Sequence, residues 1–278
     1  MGLLTLNYPI LAFALVTFGA AAQAQWVDHP TPGTPRTKEG KPNLSAPAPK
    51  TADGKPDLSG LWQAEHATIP ELRKLMEGGV NGLGEDLPSK YFIDILADFK
   101  PEDSPALPAT AAALNKNRAA MGGSPITKCL PAGVPWVDAF PSPFKMIQTP
   151  GMIAILYEAD NSFRQFFMDG RKLPEDPVPS WTGYSIGKWD GDSLVVDSNG
   201  FNDKSWLDAG GHIHSDAMRV TERFRRVDFG HMEVQVTVDD PQAYSKPFTI
   251  KINENLLPDT NILEYICLEN EHDVPHLK

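Results

Sequence analysis

Cysteine is nearly absent: the 278-residue chain has two, Cys129 and Cys267. Neither has a CxxC neighbour, which argues against a cysteine-built zinc site and leaves a disulfide or two buried thiols. Basic residues are outnumbered, 25 Lys and Arg against 36 Asp and Glu, for a net charge of −11. A negative field of that size argues against a nucleic-acid backbone or an anionic membrane surface as partner. The local run Arg223, Arg225, Arg226 is read as the solvated face of a strand. Also missing are Gly-x-Ser-x-Gly, a P-loop, Gly-x-Gly-x-x-Gly after a strand and His-Glu-x-x-His, so no cofactor is expected. The apolar run Ile10–Phe18 is shorter than the ~20 residues a membrane helix needs.

That run has a different use. It leads through Gly19 and a row of alanines to Ala22-Gln23-Ala24, a small-x-small site. This predicts a signal peptide over 1–24 cut before Gln25, the alternative being an uncleaved anchor. The mature chain is then periplasmic or secreted, with no transmembrane segment after cleavage. In that setting a Cys129–Cys267 disulfide is the simpler reading of the pair.

Residues 25–57 are Pro-rich and read as an extended segment with an internal echo, Thr37–Ser45 repeated as Thr51–Ser59. A single domain is predicted over 58–278. Within it, 68–122 reads as a helical and loop-rich insertion, with helices over 69–76, 91–99 and 109–121. From Phe144 the period changes to two. Met232, Val234, Val236 and Val238 alternate with polar residues, as do Met218, Val220 and Phe224, and Phe248, Ile250 and Ile252. Val227-Asp228-Phe229-Gly230 and Asp190-Gly191 mark hairpins. Further strands are predicted over 152–157, 163–168, 182–189, 193–197 and 263–268. The fold class is mainly β, an antiparallel meander closing into a barrel, with the insertion after a first strand at Leu61-Trp62.

Gly60-Leu61-Trp62 followed by a meander is similar to lipocalins and other calycins, which implies a lipocalin-like barrel. The insertion departs from the usual lipocalin pattern. More specifically, the chain resembles a group of uncharacterised exported bacterial proteins. The matching stretches are Pro56–Trp62, Gly191–Asp197, Thr221–Arg226 and Asp239-Asp240-Pro241, spread over most of 56–270. This resemblance implies secretion and brings no activity with it.

Among candidate site residues, Glu222 falls on the same face as Met218, Val220 and Phe224. A carboxylate there is either a cavity acid or base, or the partner of an inward arginine. Gly210-Gly211-His212-Ile213-His214 places two imidazoles at i and i+2, with Asp208 and Asp216 available to orient them. No third ligand follows at metal spacing, so metal is disfavoured against capping, and His214 is the candidate acid–base group. Trp181, Tyr184, Trp189 and Trp206 either line a pocket or complete a core. Arg164 and Arg171 flank Asp169-Gly170, either an anion-binding turn or an ordinary hairpin.

The partner these features suit is a small apolar or aromatic molecule. Two functions fit: cofactor-free acid–base chemistry of lyase, isomerase or hydrolase type by His214 and Glu222, or carriage of a lipophilic ligand. An envelope-associated structural role is a third.

Overall fold

The computed structural model describes residues 29–76, 87–120 and 123–267; the predicted leader lies outside them. Among these residues, nine strands close into one barrel in chain order. They are β1 Gly60–Ala64, β2 Phe144–Thr149, β3 Met152–Tyr157, β4 Phe163–Phe167, β5 Tyr184–Asp190, β6 Ser193–Asn199, β7 Arg219–Arg226, β8 His231–Asp239 and β9 Phe248–Leu256. Closure is made by β1, whose Trp62 opposes Phe144 of β2 on one side and Leu256 of β9 on the other. The period-two pattern predicts the filling directly. Val220, Glu222 and Phe224, then Met232 to Val238, then Phe248 to Leu256 send every second side chain inside, where it is buried.

The insertion follows β1 as expected. Helix α1 (Ile69–Leu75) starts with a capping box between Thr68 and Glu71. Helix α3 spans Pro108–Ala119. Between them α2 is shorter than the predicted 91–99, running only over Lys90–Ile93. Side chains end it: the Asp208 carboxylate takes Ile95 N–H at 2.6 Å, and Asp94 takes Leu96 N–H at 2.8 Å. A 3-10 turn at Trp136–Ala139 then stops the barrel end at which β2 begins, and all four of its residues are buried.

Two other expectations are corrected. The meander is not wholly antiparallel, because β4 and β5 pair in parallel through only Phe166↔Ser185 and Phe167↔Ile186. Asp169-Gly170 is therefore not a hairpin turn between them. Residues 168–183 carry Pro174, Pro177 and Pro179, and Asn199 and Gly200 hold this connector while it returns to the start of β5. Parallel neighbours need such a crossover. The predicted strand at 263–268 does not form over its described part, 263–267. The barrel is already shut by β1 and β9, so no edge is free to receive it. Instead Asn161 Nδ2 holds the Tyr265 carbonyl, and Cys129 is joined to Cys267 with Sγ–Sγ 2.04 Å and Cα–Cα 5.7 Å.

The two sequence echoes fold into matching turns. Thr37 N–H bonds the Lys41 carbonyl and Thr51 N–H the Lys55 carbonyl, each at 2.8 Å, with Gly40 and Gly54 at φ 81° and 79°. Positive φ is the reason each echo carries glycine.

Replacing both cysteines by serine is expected to lower stability by about 2–4 kcal/mol, because the disulfide closes a long loop. Urea unfolding of wild type and the double variant at one pH checks this. Equal midpoints would show that the bond adds nothing.

Candidate functional site

Alternation on β4 turns Phe163 and Gln165 outward and Arg164 and Phe166 inward. Arg164 and Glu222 are essentially unexposed, with side chains 1% and 0% accessible. Arg164 Nη1 donates to Glu222 Oε1 at 2.9 Å, and Nη2 donates to Oε2. The geometry is thus that of an inward ion pair. It extends through Arg164 Nη1 to Asp138 Oδ2 at 3.4 Å and Nη2 to Ser198 Oγ at 3.5 Å, and Ser198 Oγ lies 2.7 Å from Ser185 Oγ. Tyr157 Oη donates to the other Asp138 oxygen. The guanidinium also lies 4.8 Å from the Phe166 ring centroid. Burial raises Asp138 to about 7, with Arg164 pulling the other way. Burial and the Asp138 charge hold the Tyr157 phenol protonated. Glu254 of β9 faces the same interior, and neither of its oxygens has a hydrogen-bond partner among the described residues. Burial, with Asp138 adding, raises its carboxyl well above the ordinary range.

The two histidines of the 210–214 loop have separate partners. Asp208 is the hub for His212. Its Oδ1 accepts from Gly211 N and His212 N at 2.8 and 3.1 Å, and its Oδ2 accepts from Ile95 N at 2.6 Å and His212 Nδ1 at 2.5 Å. Asp94, Asp208 and His212 bring ligand atoms within 4.8 Å of one another. A metal taking His212 Nδ1 would have to displace the proton it shares with Asp208 Oδ2, and the four acceptor positions of that carboxylate are already used, so the cluster is organised as a loop anchor. His214 Nδ1 faces the Ser215 carbonyl at 3.0 Å, and Nε2 lies 2.8 Å from Ser205 Oγ. That leaves Nε2 to accept from the Ser205 hydroxyl, and burial keeps the ring neutral by lowering its pKa. This Ser–His pair has the form of a nucleophile and its base. Both side chains are buried, however, and Gly133 packs so closely on Ser205 that not even a β-carbon would fit between them. The charges bearing on His214 come from Asp240 and Asp203. Glu222 is engaged elsewhere, with Arg164. Asp216 is exposed, and Asp240 takes the neighbouring Ser215 N–H and hydroxyl.

The candidate binding aromatics divide. Where β4 and β5 splay apart, a cleft of about 450 Å³ is lined by Phe163, Phe167, Trp181 and Tyr184, together with Arg164 and Ser185 of the buried cluster. Phe167 and Tyr184 stack at 5.1 Å. Arg171 lies 3.9 Å over Phe167, donates to Tyr184 Oη at 2.9 Å and pairs with Asp169, so its charge is used within this wall. Trp189 lies at the other end of β5, under Lys55, and Trp206 packs on the core beside Ile213. Sequence reasoning passed over Asp138, Tyr157, Ser205 and Glu254. For Glu254 a signal existed, since it continues the alternation of Phe248, Ile250 and Ile252.

No protein-family model matches the chain, and no curated protein or solved structure matches it. The closed barrel agrees with the architecture implied by the calycin resemblance. Its nine strands and one parallel pair differ from the eight-stranded up-and-down lipocalin barrel.

Glu222→Leu alone should cost about 3–5 kcal/mol by leaving Arg164 buried without its partner. Adding Arg164→Met should recover much of that, and additive losses in the double-mutant cycle would argue against coupling. Asp208→Ala should cost about 3 kcal/mol through stranded amides, while a chelator leaves the wild-type melting temperature unchanged. A chelator-induced drop would instead make the cluster a metal centre.

Proposed function

We propose that the protein binds a small aromatic or apolar molecule in the β4–β5 cleft, and that it does so in the periplasm or outside the cell. The single observation carrying this reading is that Arg164 and Ser185 belong both to the cleft lining and to the buried polar cluster. A flat molecule lying on Phe163 and Trp181 would therefore have a polar end close to buried donors. The cationic guanidinium of Arg164 behind that wall favours an acceptor such as a carbonyl or phenol oxygen at the ligand's polar end. Phe163, 60% exposed, offers open apolar surface at this seam.

The compartment reading draws on the disulfide, which suits an oxidising environment. No helix among the described residues is long and apolar enough to cross a membrane. Between carriage and catalysis, carriage has the stronger support. His214 and Glu222, the acid–base pair that the sequence suggests, are each held by other protein groups.

A neutral fluorescent aromatic amine such as N-phenyl-1-naphthylamine serves as the probe. Trp181→Ala and Phe163→Ala should each weaken its Kd about tenfold, the equivalent of one aromatic contact. Trp189→Ala should leave it unchanged. Absence of saturable binding, or equal affinity in all three variants, would overturn the assignment.

A further inference from the structure

The barrel interior carries more acid than base. Asp138, Glu222 and Glu254 are all buried there, while Arg164 pairs with Glu222 and reaches Asp138 at 3.4 Å, leaving Glu254 with no basic partner among the described residues. Arg226, also inward on β7, gives its guanidinium to the carbonyls of Asp57, Ser59 and Phe229 against the Trp62 ring. The groups bearing on Asp138 are Tyr157 from β3, Arg164 from β4 and Glu222 from β7, and the Asp138 charge bears in turn on Glu254 of β9. Those flanking Glu254 in the sheet are apolar: Ala64 of β1, Met232 of β8, and Ile252 and Leu256 on its own strand. No donor reaches either Glu254 oxygen from the described residues. A bare carboxylate in such surroundings is far costlier than a neutral carboxyl.

We propose that Glu254 and Asp138 form a proton-binding site inside the barrel, and that its protons hold the Trp136–Ala139 turn in the barrel end. The geometry ties site and turn together, because Asp138 is itself a residue of that turn. On the other side the turn is held by Ser89 Oγ donating to the Ala139 carbonyl at 2.9 Å and by Phe92 packing on Trp136 and Phe140 at 5.8 and 4.9 Å. Ionised together, the two carboxylates would repel, and that repulsion would press on the turn that carries Asp138. Protonation removes that repulsion and leaves the apolar contacts in control.

The direction of the pH effect follows from the proton count. Both carboxyls hold protons more tightly when folded than when unfolded, as burial raises each. The folded state therefore binds more protons once the pH exceeds the ordinary carboxylate value. Stability is full below that value and falls as the pH rises through the folded-state values. The slope approaches a tenfold loss in the folding constant per pH unit for each proton concerned.

The test is urea unfolding of the mature protein between pH 5 and 9, for wild type and for Glu254→Gln, which keeps the shape of a neutral carboxyl. Wild type should lose stability with rising pH, while the variant should show a flatter profile and be the more stable of the two at pH 8. Infrared spectra of wild type should also show a protonated carboxyl band at pH 7, a readout needing no variant. Parallel pH profiles, or no such band above pH 6, would overturn the proposal. Sodium or potassium chloride stabilising wild type at pH 8 but not the variant would put a cation in place of the proton, and would overturn it equally.

Discussion

Arg164 reaches across the barrel from β4 to Glu222 on β7, and on the way meets Asp138 of the end turn and Ser198 of β6. The strand it leaves from needs such help, since β4 joins its next neighbour through only two register pairs. Elsewhere the wall is held by long ladders, as between β7 and β8 or β8 and β9. At the seam, a charge pair through the interior does work that backbone hydrogen bonds do in the rest of the wall. Its net contribution is less than its Coulomb energy, because both ions have been taken out of water. Its larger effect is on register. A slip of β4 by one residue would turn Arg164 outward and leave Glu222 buried alone, so the pair penalises the wrong alignment more than it rewards the right one.

That distinction explains which parts of the fold were legible in the sequence. Strands β7 to β9 have one wet face and one dry face, so their alternation reports inside and outside without any knowledge of neighbours. The same pattern puts Glu222 inside and makes an arginine partner one of two readings. It does not say which arginine, and it does not reveal that β5 lies parallel to β4, because strand pairing is a property of two segments at once. The apolar run at 263–267 was misread for a related reason. Its composition suits a strand, but a closed barrel leaves it no free edge.

The site was legible to a similar depth. Trp181 and Tyr184, two of the aromatics in loops and strand ends, do share a cleft, whereas Trp189 is carried away by the length of β5. Asp138 sits in a four-residue turn with no periodicity to place it. Ser205 meets His214 through irregular chain with no nucleophile motif. Glu254 differs from these, since it obeys the rule that found Glu222 and needed only the same alternation carried two residues further.

Access separates the chemically interesting groups more sharply than their identity does. Asp208, His214, Glu222 and Arg171 have side-chain or backbone partners that use their hydrogen-bonding capacity, which suits anchoring and leaves little for a substrate. Asp138, with a value near neutrality, has the proton affinity a general base would need, but it lies 4% exposed beneath its own turn. The outward aromatics of the β4–β5 seam have the opposite character, with open surface and little intrinsic reactivity. On the proposed reading, a ligand at the seam would be met through apolar contact, with Arg164, Asp138 and Glu222 behind the wall. Arg164 and Ser185 are the two buried residues the cleft shares with the interior. That arrangement suits recognition by shape, and it keeps Asp138 out of reach of a molecule in the cleft unless the end turn moves.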